Sequence, residues 1–371
     1  MPPATAARRS GLSRSQNQIR AAEMGPAMRR QDRVRQIWLG AAGGCPQWIN
    51  TDKPLQALDF YMICSFPASR SPFLTANSTP TKMQGWSSLI VKAGLLGLAC
   101  LDLASALKPS PGCGKINTLK AGNNSITVAG AGSNGRRWYL LNLPAGYDNK
   151  HPYRLIFTLH ALGGSADQVV AGTGGYLPWY GFPRLVNDTT GAIYVAPNGL
   201  DRGWANTGNR DVTLVSAVVD QVKADLCVDE DLLFSAGFSY GASMSYAIAC
   251  SLPKVFRAVG AQSGGAMSGC QGGSEPIAFY GQHGVAGDLP IAQARQIRDR
   301  FIKNNGCTQQ TFPTVSAGSG THARVDYKGC KEGFPVTWIE YDGGHTPQPM
   351  DKGTKMTWAA DETWRFFSQF K

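Results

Sequence analysis

Short apolar runs alternate with segments of helical periodicity from about residue 125 to the end of the chain. Several runs are apolar on both faces, which is typical of strands in a sheet that helices cover on each side. The pattern predicts strands at 137–143, 154–160, 192–196, 232–237, 257–262, 276–283 and 336–341, and helices at 212–226, 240–251, 291–304 and 361–370. Strands that alternate with helices indicate an α/β fold with a mostly parallel sheet, and the two-residue period near 125–143 predicts an antiparallel first part.

The composition is different before this region begins. Residues 1–82 contain nine Arg and no sustained period, which predicts a disordered leader or a mis-assigned start; a transit peptide is an alternative for the first forty residues. Residues 83–106 place Lys92, a short apolar run and Ala104-Ser105-Ala106 in the order of a secretory signal peptide. The run is shorter than the roughly 20 apolar residues that span a bilayer, and a buried core helix is the alternative. We therefore expect translation to start at Met83 and one exported domain at 107–371.

The net charge follows the same division of the chain. The 371 residues hold 36 Lys+Arg and 25 Asp+Glu, a balance of +11, of which residues 1–106 supply +7. The remaining +4 is a mild excess, so we expect no nucleic-acid partner. We also expect no membrane partner, and a monomeric protein. A hydrophobic content of 43%, with 9 Trp, 12 Tyr and 15 Phe, excludes disorder for most of the length.

Cysteines and glycosylation triplets agree with export. Six cysteines follow residue 106, at Cys113, Cys227, Cys250, Cys270, Cys307 and Cys330. An even set in an exported domain predicts three disulfides, whose pairing the sequence leaves open, although Cys307 and Cys330 are near enough to close a local loop. N-x-S/T triplets at Asn123 and Asn187 fit a secreted glycoprotein.

The segment Gly237-Phe238-Ser239-Tyr240-Gly241 holds the strongest candidate nucleophile. A predicted strand precedes it and a predicted helix follows it, which is the setting of the G-x-S-x-G nucleophile elbow. Glycines suit a turn too tight for side chains, and a helix N-terminus favours negative charge beside the serine. We predict that Ser239 is a catalytic nucleophile rather than a helix cap.

A serine hydroxyl needs a base that removes its proton, and in this fold an acid and then a histidine follow the serine along the chain. The two histidines before residue 161 come too early. His283 ends a predicted strand, with only Glu275 between it and the serine, and His322 lies in a Gly/Ser/Thr-rich stretch that resembles a surface loop. His345 follows the last predicted strand in a Gly-rich turn, so it is the predicted base.

The acid must orient the imidazole and stabilise its charged form. The candidates between the serine and the histidine are Asp288, Asp299, Asp326, Glu332, Glu340 and Asp342. Asp299 lies in a polar helix and is interpreted as a solvated charge, and Asp342 is interpreted as a turn residue. Asp288 follows the predicted strand 276–283, at the end of the sheet where such sites gather, and is therefore the predicted acid.

The oxyanion of an acyl-transfer intermediate needs two backbone donors. We predict the N–H of Tyr240, directly after the nucleophile, and the N–H of Leu162 in the loop after strand 154–160, with Ala161 as the alternative. His160 is predicted to brace this loop rather than to carry a proton.

Motifs spread over 112–370 resemble those of the fungal feruloyl esterase C family. Besides the nucleophile elbow, they are the run 153–160 followed by Leu162-Gly163-Gly164, Ala196-Pro197-Asn198-Gly199-Leu200, Gly203-Trp204-Ala205-Asn206, His283-Gly284, Lys303-Asn304-Asn305-Gly306-Cys307 and Asp342-Gly343-Gly344-His345-Thr346-Pro347. The resemblance implies an α/β-hydrolase fold and a secreted serine esterase that releases ferulate from arabinoxylan, related to the polyhydroxybutyrate depolymerase-like esterases. It implies Ser239 as nucleophile and His345 as base.

The chain departs from the family pattern at two positions. Ala161 stands where the family often has Trp, so one pocket wall differs. Gly287 stands at the family's Asp, and Asp288 comes one position later, as if one residue had been lost; a small loop shift would bring it within reach.

We therefore predict ester hydrolysis without a metal or organic cofactor, with a feruloylated polysaccharide or oligosaccharide as substrate. Tyr176, Trp179 and Trp204 are predicted to contact the phenolic ring, with Tyr180 and Phe182 as further candidates. Two alternatives remain. One is an acetylxylan esterase or polyester depolymerase with the same triad, and the other is a non-catalytic binding protein on a hydrolase fold.

Overall fold

The computed structural model describes residues 107–287 and 289–371. The predicted leader at 1–82, the predicted signal peptide at 83–106 and Asp288 lie outside the described residues. The described part forms nine strands: β1 (Gly122–Thr127), β2 (Arg136–Asn142), β3 (Tyr153–Leu159), β4 (Ala192–Pro197), β5 (Val228–Phe238), β6 (Ala258–Gln262), β7 (Ala278–Gly284), β8 (His322–Asp326) and β9 (Val336–Tyr341). They belong to one sheet in the order β1-β2-β4-β3-β5-β6-β7-β9-β8.

The sheet is parallel from β4 through β9. β4, β3, β5, β6, β7 and β9 pair in parallel, whereas β1, β2 and the outermost β8 join antiparallel. The prediction of a mostly parallel sheet with an antiparallel start is confirmed. Because parallel strands end at the same edge, the loops after β3, β5, β6, β7 and β9 meet there, which is where α/β proteins place their sites.

Helices cover both faces of this sheet. They are α1 (Ala166–Ala171), α2 (Arg210–Asp225), α3 (Tyr240–Ser251), α4 (Ile291–Asn304) and α5 (Ala359–Phe367). Along β3, Leu155 and Phe157 belong to a core that includes side chains of α2, α3 and α4, whereas Ile156 belongs to the core that includes α1 and α5. This alternation is the two-residue period of a strand buried on both faces. The arrangement is an α/β-hydrolase fold, as predicted.

Two elements differ from the sequence-based expectation. The prediction of a surface loop around His322 is wrong, because that residue begins β8, which pairs with β9 at the edge of the sheet. Every residue of β8 is only half-buried, so its hydrophobic pattern is weak. The helix α1 has only six residues, with the Ser165 side chain accepting the Gln168 N–H at its start, and no helix was predicted there.

The six cysteines of the described region form three disulfides, as predicted. The pairs are Cys113–Cys227, Cys250–Cys270 and Cys307–Cys330. Within residues 107–287 and 289–371, the helices are too short or too polar to cross a membrane.

Candidate active site

Ser239 occupies a strained turn between β5 and α3. Its backbone has φ 56° and ψ −118°, in a region that residues with a side chain rarely adopt. A Cβ at Gly237 would lie 2.4 Å from the carbonyl oxygen of Gly241, and a Cβ at Gly241 would lie 2.0 Å from that of Leu159. Only glycine fits at either position, so these two residues allow the strand and the helix to approach and lift the serine above the sheet.

The imidazole of His345 lies next to this serine. Nε2 of His345 is 2.8 Å from Oγ of Ser239, although 106 residues separate them along the chain. The imidazole packs on the ring of Phe238, with a centroid distance of 4.5 Å, and both the serine and the histidine are half-buried. A hydroxyl within hydrogen-bond distance of a neutral imidazole can transfer its proton as it attacks a carbonyl carbon.

The loop after β7 lies against the turn that carries His345. Ala286 N–H donates to the Gly343 carbonyl at 3.1 Å, and a Cβ at Gly287 would lie 3.6 Å from the backbone nitrogen of His345. On the far side of residue 288, the Leu289 carbonyl is 3.0 Å from Nε2 of His283. The predicted acid Asp288 is outside the described residues, but its neighbour Gly287 borders the histidine.

Four of the other candidate acids are engaged elsewhere. Arg298 contacts Asp299 at 2.7 Å, Arg324 contacts Asp326 at 2.7 Å, Arg295 holds Glu340 through two hydrogen bonds, and the amides of Gly318 and Gly320 donate to Asp342. The remaining one, Glu332, is exposed. The interpretation of Asp342 as a turn residue agrees with its two amide partners, and the carboxylate of Asp299 is half-exposed and paired with Arg298.

The two candidate oxyanion donors in the loop after β3 differ in their hydrogen bonding. Ala161 N–H donates to Oη of Tyr176 at 2.7 Å, so the alternative oxyanion donor is already engaged. Within the described part of the chain, the amides of Leu162 and Tyr240 donate no hydrogen bond. A Cβ at Gly203 would lie 3.0 Å from the Tyr240 ring and 3.3 Å from Cδ1 of Leu162, so these two residues meet above one glycine.

His160 is buried and braces this loop. Its Nε2 accepts the Gly199 N–H at 2.9 Å, and its Nδ1 donates to the Ala161 carbonyl at 2.8 Å. Burial lowers the pKa of His160 to about 4, so the ring is neutral near pH 7. With both nitrogens engaged, His160 has no proton to exchange with a substrate, which agrees with the bracing role predicted for it.

The three aromatic side chains predicted to contact the phenolic ring are almost fully buried in the structure. Trp204 is 0% exposed, and Tyr176 and Trp179 are each 5% exposed. The indole of Trp204 donates to the His160 carbonyl at 2.7 Å, and Trp179 packs against Tyr194 at a centroid distance of 5.7 Å. Trp204 and Trp179 therefore pack in the interior, whereas Tyr176 lines a small pocket together with Pro347 and Gln348.

The two further candidates are buried as well. Phe182 is 0% exposed and Tyr180 is 5% exposed. Oη of Tyr180 accepts the Phe238 N–H at 2.9 Å and donates to the Leu159 carbonyl at 2.7 Å. Tyr180 therefore ties the end of β5 to the end of β3, directly before the nucleophile, which its sequence position did not indicate.

Exposed apolar side chains occur instead on loops at this edge of the sheet. Leu162 is 69% exposed in the loop after β3, Met267 is 46% exposed after β6, and Met350 is 53% exposed after β9. The two methionines are isolated apolar residues in loops, so no periodicity in the sequence distinguishes them.

The chain is similar in sequence to known esterases. The model of the prolyl oligopeptidase family matches residues 197–268. The chain is 42% identical to feruloyl esterase D of Neurospora crassa over 293 residues, covering 78% of this chain and 100% of that protein. It is 45% identical to feruloyl esterase C of Emericella nidulans over 259 residues, 70% of this chain and 90% of that protein. A solved ferulic acid esterase from Anaeromyces mucronatus, in complex with ferulic acid, has 14% identity and a TM-score of 0.47 over 68% of this chain and 90% of that one.

Proposed function

This chain belongs to the family of fungal feruloyl esterases C and D, and we propose that it is a secreted enzyme that hydrolyses ferulate esters of arabinoxylan through an acyl-enzyme. It is a carboxylic ester hydrolase. The observation that carries the proposal is the 2.8 Å contact between Ser239 Oγ and His345 Nε2 at a nucleophile elbow.

The reaction consists of two steps, acylation and deacylation of the serine, and both use the same residues. Oγ of Ser239 attacks the ester carbonyl carbon while Nε2 of His345 takes its proton, and the amides of Tyr240 and Leu162 stabilise the oxyanion. The intermediate collapses with cleavage of the bond to the sugar oxygen, which receives the proton from His345. Water then attacks the feruloyl-serine, again losing a proton to His345, and ferulate leaves as Ser239 regains its hydrogen.

We assign the orienting acid to Asp288. Its neighbour Gly287 borders the backbone of His345, and the other carboxylates considered are either bound to arginines or amides or exposed. An Asp288→Asn variant keeps the size of the side chain but favours the wrong imidazole tautomer, so kcat falls by about 10⁴ as in a comparable triad.

Export and glycosylation are supported by two features of the described region. Its six cysteines are all paired, which is typical of an oxidising compartment. Asn123 and Ser125 are both exposed on β1, where residues two apart share one face, and Asn187 and Thr189 are exposed as well. Secretion from a gene that starts at Met83 would give a mature N-terminus at Leu107, and enzymatic removal of N-glycans would increase its gel mobility unless both asparagines were changed to Gln.

A substrate panel tests the proposed function. Wild type and Ser239→Ala are compared on methyl ferulate, feruloylated arabinoxylan, acetylated xylan and a short hydroxybutyrate polyester. The proposal expects ferulate release by wild type alone. Turnover of acetylated xylan or of the polyester, with negligible ferulate release, would contradict ferulate as the acyl group of the substrate. If a fluorophosphonate failed to label Ser239 in the folded protein, the esterase mechanism itself would be rejected.

A further inference from the structure

Tyr341 lies at the end of β9, directly before the turn that carries His345. It is 2% exposed, and its hydroxyl is 3.0 Å from the Gly344 carbonyl and 3.5 Å from that of Thr346, the residues on either side of the histidine. A carbonyl oxygen only accepts, so the single phenolic proton is directed at this turn. The hydroxyl therefore holds the backbone from which the imidazole projects.

Ser263 supports that hydroxyl from the end of β6. Its Oγ is 3.0 Å from Oη of Tyr341, and because the phenolic proton is already donated, Ser263 is the donor of this second hydrogen bond. Ser263 is 1% exposed and has φ 53°, a conformation uncommon for a residue with a side chain. Its N–H donates to the Gln282 carbonyl at 2.8 Å, which fixes this strained residue against β7.

The backbone of Tyr341 also holds the loop that precedes Asp288. Its carbonyl accepts the Val285 N–H at 2.9 Å, and a Cβ at Gly343 would lie 3.2 Å from the Tyr341 ring. One residue thus contacts both loops that converge on the histidine. Burial raises the pKa of the Tyr341 hydroxyl, so it keeps its proton throughout the neutral range.

We propose that Ser263 and Tyr341 are positioning residues that hold His345 at the distance required to deprotonate Ser239. Ser263 orients the phenolic hydroxyl, and the hydroxyl holds the Gly344 carbonyl. Neither residue is assigned a contact with the substrate or the reacting atoms. The proposal rests on the proposed esterase mechanism but not on the identity of the acyl group.

The test compares Tyr341→Phe with wild type in two assays. The variant keeps the ring and loses the hydroxyl, so we expect kcat for methyl ferulate to fall about tenfold with KM unchanged. The rate of Ser239 labelling by a fluorophosphonate should fall by a similar factor, since it depends on the same serine and imidazole. Tyr139→Phe is the matched control, because that buried hydroxyl binds Gln221 on α2, and it should leave both rates unchanged.

A double-mutant cycle separates positioning from a general loss of stability. Ser263→Ala should lower kcat less than Tyr341→Phe, and the double variant should be no slower than Tyr341→Phe, because the serine acts through the tyrosine. All rates are measured well below the unfolding temperature of each variant. The proposal is overturned if Tyr341→Phe folds and keeps the wild-type labelling rate and kcat, or if only its KM is raised. If Tyr341→Phe does not fold, an unchanged kcat in Ser263→Ala overturns the proposal instead. Wild type that is labelled but releases no ferulate contradicts only the proposed substrate.

Discussion

The Gly199 N–H donates a hydrogen bond to Nε2 of the buried His160 imidazole across 2.9 Å. Because Nε2 is the acceptor, it cannot be protonated while this hydrogen bond is kept. The two residues come from different loops at the carboxyl edge of the sheet, and the hydrogen bond joins the loop after β4 to the loop after β3, which also carries the predicted oxyanion donor Leu162. The bond requires a neutral ring, so its contribution to stability depends on pH.

We expect acid to destabilise the fold through His160. Its pKa is about 4 in the folded state, against the ordinary value of 6.5 for a solvated imidazole, so only the unfolded chain binds a proton as the pH falls from 6.5 toward 4. The contribution of the neutral ring is fully present above pH 6.5 and declines over that window by on the order of 3 kcal/mol. Urea unfolding at pH 7.5 and 4.5 measures the loss.

The control for this prediction is His160→Gln, which does not titrate and keeps a carbonyl oxygen that can accept from Gly199. The free energy of unfolding of this variant should change less between the two pH values than that of wild type. Equal changes would show that acid destabilisation comes from other groups, such as His283, whose pKa burial also lowers.

Gly241→Ala should disrupt the nucleophile elbow. The added Cβ would lie 2.0 Å from the Leu159 carbonyl oxygen, and backbone atoms of a central strand cannot move aside easily. We expect the free energy of unfolding to fall by about 3 kcal/mol or more. Gly265→Ala is the control, because its nearest contact would be Gln293 Oε1 at 3.8 Å. Equal unfolding temperatures for the two variants would contradict this account.

Tyr176→Phe distinguishes a hydrogen-bonding role from a stacking role. If Oη of Tyr176 fixes the Ala161 amide and hence the neighbouring Leu162, losing it lowers kcat about 3- to 10-fold and leaves KM unchanged. A stacking tyrosine would instead tolerate Phe, which retains the ring. Steady-state kinetics with methyl ferulate measure both constants, and an unaltered kcat would remove Tyr176 from the oxyanion loop.

The disulfide that closes the longer loop of the chain should stabilise it more than the local one. Cys113–Cys227 joins residues 114 apart, and Cys307–Cys330 joins residues 23 apart. By the chain-entropy argument the longer loop restricts the unfolded state more, by about 1 to 2 kcal/mol. Replacing both cysteines of each pair by Ser, with thermal unfolding as the measurement, should lower the melting temperature more for the first pair. The reverse order would indicate that native-state packing dominates.

Local pattern was enough to predict the strands that position the nucleophile. The apolar runs and the two glycines around Ser239 are short-range signals. The strand, the turn and the helix can therefore each be predicted from residues that are close together in the sequence. The half-buried edge strand that begins at His322 was not predicted, because it lacks the apolar alternation of a strand with a buried face.

By itself the sequence determined the mostly parallel sheet, the strand–serine–helix turn and an even cysteine set, since each depends on neighbouring residue types or on a simple count. Only the tertiary structure placed His345 at 2.8 Å from Ser239 and buried Trp204, which the sequence analysis had assigned to the substrate. Loops have no periodicity to indicate which way a side chain points. Their geometry is decided by hydrogen bonds between segments far apart in the chain, such as those from Gly199 to His160 and from Ser263 to Tyr341.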